Sequence, residues 1–507
     1  MPPIKYSRLP YVILLHLKKI YMRIPAGYFL AAMLGILIFS CEKPIIPGNP
    51  EGKLAFSADT VIFDTIFTTI GSTTLNFRVY NPNNQPVVVD RIFLAGSHSS
   101  HYRLNIDGIQ TNQMDNVEIP ANDSIYIFVE VTLDPTNQNE PMVVQDSVVF
   151  ITNGNTQDVD LVSFGQDVHL LVVDTVGTET WLNDKPYLVY GYVYVDSLET
   201  LTIEQGTRIH FHKRSSMLVG GTLEVNGTLE EPVSFLGDRL EHLYDDIPGQ
   251  WGAWIEYDNG GLYILGGIHF LNGSKDNIIN YGIIKNAIKG IQLDTLANTA
   301  KPTLTLSNTL IANMTVAGIL AQSSTILADN CVIADCGTHC VALTLGGSYE
   351  FYHCTISNNY GIGTRTDPSV VLNNFFIYDG RAYIYNLYNA LFSNCIITGN
   401  RGMEIELWNT IDDKPVPGEF NYIFDHCLVQ VDTLTTSAAD HWVNIIKNAN
   451  PRFMSTLDHD YHLDTLSPAK DNANLEYALY FPVDLDGINR LKDKGPDIGA
   501  YEREEEK

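Results

Sequence analysis

The chain has 507 residues, of which 45% are hydrophobic and 10% aromatic, so it is long enough for two or more domains and apolar enough to fold. Its formal charge is −28, from 31 Lys and Arg against 59 Asp and Glu. This charge argues against nucleic acid or an anionic membrane surface as a partner, because both select for basic proteins.

The N-terminal segment has the layout of a secretion signal. Lys19 and Arg23 precede an apolar run over residues 28–39, which ends at Ser40 and Cys41. A basic region, an apolar region and a small residue before a cleavage site are typical of signal peptides. The apolar run is short for a membrane span, which needs about 20 residues, so cleavage is favoured over the alternative of an uncleaved anchor.

The motif L-I-F-S-C that ends at Cys41 resembles the lipobox of bacterial lipoproteins. The resemblance implies cleavage before Cys41 and a lipid on this residue. We therefore predict a signal peptide with a lipobox over residues 1–41. Residues 42–52 contain three prolines and two glycines, and predict a flexible tether. The start of translation is open between Met1 and Met22.

Residues 53–172 predict a β-sandwich. Short apolar or alternating runs, such as residues 75–80, 87–89 and 125–129, are separated by turn residues. The motifs R-V-Y-N-P, I-P-A-N-D-S, D-P-T and F-I-T-N-G-N resemble, in this order, immunoglobulin-like modules of the abnormal-spindle and hydin type. The resemblance implies an immunoglobulin-like spacer or interaction module without catalytic residues.

Residues 173–450 predict a solenoid of short strands. In six copies an Asn or His precedes a small or thiol residue, and an aliphatic residue lies two positions further on: 280–283, 308–311, 330–333, 353–356, 394–397 and 426–429. Successive copies lie 28, 22, 23, 41 and 32 residues apart. The shorter spacings fit one turn of a parallel β-helix, and the longer ones require a loop inserted into a turn. Turns of this size predict roughly ten to twelve coils, with buried ladders of Ile, Val, Cys and Thr and with Asn ladders at the turns.

This region resembles right-handed parallel β-helix proteins of the pectate-lyase-like superfamily. The resemblance implies the fold but no particular activity. Residues 451–507 add S-P-A-K-D, D-L-D-G-I-N-R and P-D-I-G-A-Y-E, which resemble the ending of secreted β-helix proteins. This second resemblance implies a C-terminal cap over the last coil. The predicted fold class is all-β, with an immunoglobulin-like sandwich followed by a right-handed parallel β-helix and a cap.

The cysteines predict a buried ladder and no metal site. Four of them hold the same repeat position: Cys331, Cys354, Cys395 and Cys427. The alternative is a zinc set from Cys336 and Cys340 with neighbouring histidines, but a matching second Cys pair is missing. We predict no metal and no cofactor.

A possible carbohydrate-facing patch is predicted around residues 383–408. Glu404 and Glu406 alternate along one strand, so we expect both to face outward. Trp408, Tyr383 and Tyr385 supply rings that can stack on a sugar. The alternative is an ordinary acidic and aromatic outer face.

The sequence favours a non-catalytic lipoprotein of the cell envelope whose rigid β-helix binds glycan or a surface protein. The lipid on Cys41 is expected to anchor the protein in the outer membrane. Its folded domains then face either the periplasm or the exterior. The alternative is a polysaccharide lyase or glycoside hydrolase on the same scaffold. No catalytic set of residues stands out, and whether the protein is an enzyme is left open.

Overall fold

A computed structural model describes residues 52–136, 141–252, 254–256, 262–264, 267–294, 301–434, 436–492 and 494–504. The predicted signal peptide and Cys41 lie outside the described residues and stay predictions. In the part of the chain that is described, no helix combines the length and hydropathy needed to cross a membrane. The chain separates into two compact units, of which the first includes Leu75–Val129 and Asp146–Asp160 and the second includes Leu161 onward.

The N-terminal strands form two sheets of five strands. In chain order they are β1 (Ala55–Phe56), β2 (Thr60–Phe67), β3 (Leu75–Tyr80), β4 (Val87–Leu94), β5 (Tyr102–Ile106), β6 (Ile109–Gln110), β7 (Gln113–Ile119), β8 (Ser124–Val131), β9 (Met142–Thr152) and β10 (Asn155–Gln166). The sheet orders are β1-β3-β8-β5-β6 and β2-β10-β9-β4-β7. Pairings such as β3–β8 and β4–β7 are antiparallel.

Aromatic side chains join these two sheets. The ring of Phe150 on β9 lies 5.0 Å from Phe56 on β1 and 6.2 Å from Phe77 on β3. Strand β8 alternates between buried and partly exposed positions, as expected when one face of a sheet covers a core. The predicted β-sandwich is thereby confirmed, and its immunoglobulin-like character stays a prediction.

The remaining strands lie between His169 and Leu463, and most of them are short. The first of them are β11 (His169–Val176), β12 (Glu179–Trp181), β13 (Tyr187–Val195), β14 (Thr200–Glu204), β15 (Arg208–Phe211), β16 (Ser216–Val219), β17 (Thr222–Asn226), β18 (Val233–Gly237), β19 (Trp254–Glu256), β20 (Leu262–Ile264), β21 (Ile268–Phe270), β22 (Asn277–Asn280), β23 (Gly282–Lys285), β24 (Lys289–Leu293), β25 (Leu304–Ser307), β26 (Leu310–Met314), β27 (Ala317–Asp329), β28 (Val332–Cys336), β29 (Val341–Tyr352) and β30 (Thr355–Asn358). The others are β31 (Val370–Asn373), β32 (Phe375–Tyr378), β33 (Arg381–Ile384), β34 (Leu387–Ser393), β35 (Ile396–Gly399), β36 (Ile405–Trp408), β37 (Thr410–Ile411), β38 (Lys414–Pro415), β39 (Ile423–Asp425), β40 (Leu428–Val429), β41 (Trp442–Val443), β42 (Ile446–Lys447), β43 (Phe453–Ser455) and β44 (Asp460–Leu463). One short helix, α1 (Leu475–Tyr480), and two 3₁₀ turns, Ser97–Ser99 and His242–Tyr244, complete the described elements.

Twenty-six of these strands form one parallel sheet that coils into a β-helix with three faces. The first face stacks β16, β21, β24, the start of β27, the start of β29, β31 and β36. The second stacks β17, β22, β25, the ends of β27 and β29, β34 and β39. The third stacks β18, β23, β26, β28, β30, β35 and β40. The predicted all-β class and solenoid are confirmed.

The core is built from rows of like residues, because equivalent positions in successive coils lie one strand apart, about 4.8 Å. Four buried rings on the second face show this stacking. Phe351 lies 4.9 Å from Phe392, Phe392 lies 5.1 Å from Phe424, and Phe424 lies 4.5 Å from Trp442, with interplanar angles of 7°, 11° and 9°. Offset ring stacking adds to the hydrophobic gain of burying such large side chains.

The corner between the second and third faces explains the Asn and His of the sequence pattern. Its residues have positive φ angles between 47° and 55°: Tyr281, Asn308, Asn330, His353, Asn394, His426 and Asn444. Asn and His adopt this left-handed conformation more readily than most residues. The amides also join successive coils, since Asn330 Nδ2 donates to Asn308 Oδ1 at 3.1 Å and Asn394 Nδ2 lies 2.9 Å from His353 Nε2.

The thiol that follows this corner points into the core. Cys331, Cys354, Cys395 and Cys427 are all buried and free. Their Sγ atoms donate to nearby carbonyl oxygens, as Cys354 does to Tyr352 O at 3.3 Å and Cys395 to Ser393 O at 3.3 Å. Burial raises the pKa of the Cys331 and Cys395 thiols, so they stay protonated at neutral pH. The predicted buried thiol ladder is confirmed.

The contacts of the predicted C-terminal cap extend far beyond the last coil. Tyr461 and Ala500 pack against Val332 and other residues on the outer side of the third face. Ile498 packs nearby, in a cluster that contains Ile396. The C-terminal segment therefore covers the flank of several coils between β26 and β40 and buries apolar side chains that would otherwise face water.

Candidate functional site

Glu404 is not on the exposed surface. Its side chain is fully buried, and its Oε2 atom accepts hydrogen bonds from Arg365 Nη1 at 2.8 Å and from Ser369 N at 2.9 Å. The outward orientation predicted for Glu404 is therefore wrong. The residue precedes β36 and lies at the corner before the first face, so strand alternation does not govern its direction. Burial of this carboxylate is tolerated because a guanidinium and two amide groups surround it.

Along β36 the side chains do alternate between the core and the outer side of the coil. Ile405 and Leu407 pack into the core, whereas Glu406 is half-buried on the outer side and Trp408 is 45% exposed. Trp408 pairs in register with Asn373, the last residue of β31 on the preceding coil. The indole of Trp408 is thus presented to solvent at the edge of the first face.

An aromatic hairpin projects from the coil beside this tryptophan. Strands β32 and β33 pair antiparallel, and Phe376, which is 37% exposed, faces Tyr383, which is 42% exposed. Their rings stack at 4.9 Å with an angle of 11°, and Tyr385 lies 6.2 Å from Phe376. The structure therefore brings Tyr383 and Tyr385 together through Phe376, a ring that the sequence analysis did not select.

Local sequence explains why the aromatic hairpin forms at this point. Asp379 and Gly380 both have positive φ angles, 49° and 69°, which suit a two-residue hairpin turn. At the base, Asn373 Oδ1 accepts a hydrogen bond from Phe375 N at 3.2 Å, and Tyr385 N donates to Asn374 O at 2.8 Å. These two hydrogen bonds hold the hairpin at the end of β31. Strand β36, which pairs with β31 from the next coil, carries Trp408.

The sequence analysis did not select a cluster of polar side chains that lies on the outer side of the first face. His269 Nε2 lies 2.6 Å from Asp294 Oδ2, and Lys289 Nζ donates to Gln292 Oε1 at 2.6 Å. Gln292 Nε2 donates to Asp294, which links the four residues. Burial lowers the pKa of Lys289 to about 8. The signal in the sequence is the alignment of His269 with Gln292 on successive coils, where apolar residues flank both.

No group of three or more His, Cys, Asp or Glu side chains suited to a metal ion occurs among the described residues. Cys336 and Cys340, the alternative zinc ligands considered above, are buried and free. Cys336 Sγ donates to Ala334 O at 3.4 Å, as expected of a thiol.

Comparison with known proteins supports the fold. A family model described as "Right handed beta helix region" matches residues 266–416. This match and the parallel coiled sheet together define a protein that contains a right-handed parallel β-helix. Among curated proteins none matches the sequence.

Solved structures show only distant likeness. The catalytic unit of a GH87 α-1,3-glucanase from Streptomyces thermodiastaticus aligns over 74% of this chain and 89% of its own, with 8% identity and a TM-score of 0.26. The E. coli chaperone DraB aligns over 25% of this chain and 58% of its own, with 11% identity and a TM-score of 0.17. A PapD-like domain of human CEP192 aligns over 31% and 97%, with 11% identity and a TM-score of 0.17. TM-scores this low give no information on the activity of this chain.

Proposed function

We propose that the protein is a lipid-anchored component of the cell envelope that binds glycan through its β-helix and does not cleave it. The observation that carries the proposal is the aromatic hairpin beside Trp408. Its rings are exposed and stacked, although large apolar side chains normally lie in a core. Exposed groups on a loop that a rigid scaffold positions are typical of binding sites.

The chemistry of these rings favours a sugar as ligand. Tyr and Trp combine an apolar face with a polar edge, which suits a ligand whose faces carry C–H groups and whose rim carries hydroxyls. Glu406, two residues before Trp408 on the same strand, and the tyrosine hydroxyls supply acceptors and donors. The net charge of −28 disfavours polyanionic ligands. A surface protein as partner is the alternative that the experiment below distinguishes.

Loss of two rings is expected to weaken glycan binding. The change is Tyr383→Ala with Trp408→Ala in the full chain, purified in detergent. Two stacking contacts at about 0.5–1.5 kcal/mol each sum to about 1–3 kcal/mol, which predicts a dissociation constant about 5 to about 150 times higher. Binding is measured by calorimetry against a panel of neutral and acidic hexasaccharides. The matched control is Tyr480→Ala, which removes a ring that is 75% exposed on α1 and is expected to change nothing.

If no member of the panel binds the unmodified chain, the glycan proposal is wrong and a surface protein becomes the better candidate. The enzyme alternative rests on the cluster of His269, Asp294 and Lys289, since a lysine with a pKa of about 8 is suited to accept a proton. If the same mixtures contain new reducing ends or unsaturated products, and the Lys289→Met variant does not form them, the protein is an enzyme and the non-catalytic proposal is wrong.

Cys41→Ser is expected to release the protein from membranes. A serine cannot take the thioether-linked lipid, so the chain should move from the membrane to the soluble fraction, while circular dichroism keeps the strand signal of the folded domains. The measurement is membrane fractionation with metabolic labelling by a fatty acid. A serine variant that still carries lipid and sediments with membranes would contradict lipid attachment at Cys41.

A further inference from the structure

A polar groove on the outer side of the third face is separate from the aromatic hairpin. Its volume is about 430 Å³. The lining residues include Ser357, Thr398, Gln430, Asp432, Asn450 and Phe453. Hydroxyls and amides dominate this lining, with one aromatic ring and one carboxylate.

The floor of the groove is a row of polar side chains on successive coils. Ser357 of β30 pairs in register with Thr398 of β35, so strand spacing places them about 4.8 Å apart. Gln430 follows β40 on the next coil, and its Oε1 atom accepts hydrogen bonds from Thr398 Oγ1 at 2.9 Å and Gly399 N at 3.3 Å. The row is fixed before any ligand arrives, which lowers the entropy lost on binding.

The wall of the groove comes from the chain that leaves the last coils. Asn448 accepts a hydrogen bond from Val431 N at 2.7 Å and donates to Val431 O at 3.2 Å, which holds this segment in place. Asn450 and Asp432 are exposed, whereas Phe453 is half-buried. The wall thus offers an amide, a carboxylate and a ring toward the floor.

The charge of the groove decides which ligands fit. Asp432 is the one ionisable residue among the described residues that line it. A polyuronate would bring more negative charge to this carboxylate with no lysine, arginine or histidine in the lining to balance it. An uncharged sugar, by contrast, presents vicinal hydroxyls that donate to a carboxylate and exchange hydrogen bonds with amides.

We propose that this groove binds a neutral hexose unit of the glycan, with Asp432 accepting hydrogen bonds from two adjacent hydroxyls and with Thr398 and Asn450 contacting others. This inference rests on the proposed function, and it adds the class of glycan. A sugar carries many hydroxyls, so a lining in which fixed hydroxyls and amides surround one ring, Phe453, suits it.

The test is calorimetry on the full chain with hexaoses of glucose, mannose and galactose, and with hexagalacturonate. We expect a neutral hexaose to bind, with little dependence on salt, and hexagalacturonate to bind at least tenfold more weakly. Asp432→Ala is expected to raise the dissociation constant of the neutral hexaose about tenfold or more, and Thr398→Val to raise it in the same direction. The control is Asp174→Ala, which removes an exposed carboxylate on β11.

The outcomes separate this inference from the proposed function. If Tyr383→Ala with Trp408→Ala weakens binding and the groove variants do not, glycan binding stands and the groove inference is wrong. Tighter binding of hexagalacturonate than of every neutral hexaose overturns the neutral class. If no hexasaccharide binds the unmodified chain, both proposals are wrong.

Discussion

Arg365→Met is expected to lower the free energy of unfolding of the β-helix by about 3–5 kcal/mol. The Arg365 side chain is 1% exposed and the Glu404 side chain 0% exposed. Besides the carboxylate, the guanidinium donates to Asn400 Oδ1 at 2.7 Å and Asn358 O at 2.9 Å. Methionine has a similar length but donates nothing, so the variant leaves the Glu404 carboxylate buried without its partner. Urea denaturation followed by tryptophan fluorescence measures the loss.

An exposed pair in the same unit supplies the control. Arg452 Nη1 lies 3.3 Å from Asp464, and the two side chains are 45% and 36% exposed. Arg452→Met is therefore expected to cost only about 0–1 kcal/mol. A second check is the variant that carries both Arg365→Met and Glu404→Gln, which should recover part of the lost stability because no unpaired charge remains. Equal losses for Arg365→Met and Arg452→Met would show that the buried pair has no special role.

Local patterns made the β-helix predictable from the sequence. The corner before each third-face strand requires a positive φ angle, and this requirement selects Asn or His near each repeated aliphatic residue. The prediction was one position off in the first copy, where Asn280 was aligned with Asn308. In the structure Ile283 pairs with Leu310, so Tyr281 occupies the corner. A tyrosine is unusual at a left-handed position, and the pattern therefore selected the neighbouring asparagine.

Contacts between distant coils made the sites less predictable. Glu404 is buried because Arg365, 39 residues earlier, folds back onto it from a loop between β30 and β31. Loops of different length separate the coils, so sequence spacing does not reveal which outer side chains become neighbours. The groove and the cluster around His269 both depend on such neighbours. The sequence analysis selected Tyr383, Tyr385 and Trp408 because aromatic residues are visible in the local sequence, and the structure exposes Tyr383 and Trp408.

Arg490→Met is expected to destabilise the C-terminal segment by about 3–5 kcal/mol and to expose it to proteases. Arg490 is fully buried, and its Nη2 atom donates to Asn330 Oδ1 at 3.0 Å and to Gly499 O at 3.1 Å. The same side chain lies 3.4 Å from Glu502. The arginine of the D-L-D-G-I-N-R motif therefore joins the last residues of the chain to the Asn corner of the β-helix. The measurements are urea denaturation and limited digestion with proteinase K, whose cleavage does not depend on Lys or Arg, followed by mass spectrometry.

A control on the same segment separates this effect from a general loss of charge. Lys492 forms an exposed ion pair with Glu504, with side chains 61% and 52% exposed. Lys492→Met is expected to leave both the denaturation midpoint and the digestion pattern close to those of the unmodified chain. Resistance of the Arg490→Met segment to proteinase K, together with an unchanged midpoint, would mean that the apolar contacts of Tyr461 and Ile498 alone hold the segment in place.

The pH dependence of the Arg490→Met variant identifies the cause of its instability. Burial raises the pKa of Asp484, whose side chain is 1% exposed and accepts hydrogen bonds from Glu502 N and Ile488 N. A carboxyl group with a folded pKa above its unfolded value destabilises the protein when ionised, and this penalty fades as the pH falls through the folded pKa. Arg490 opposes that rise, so its removal raises the pKa of Asp484 further. The loss of stability in the variant should therefore be largest at neutral pH and smaller near pH ~4, where the carboxyl takes up a proton. A loss that is the same at both pH values would assign the effect to packing around the arginine instead of to unpaired buried charge.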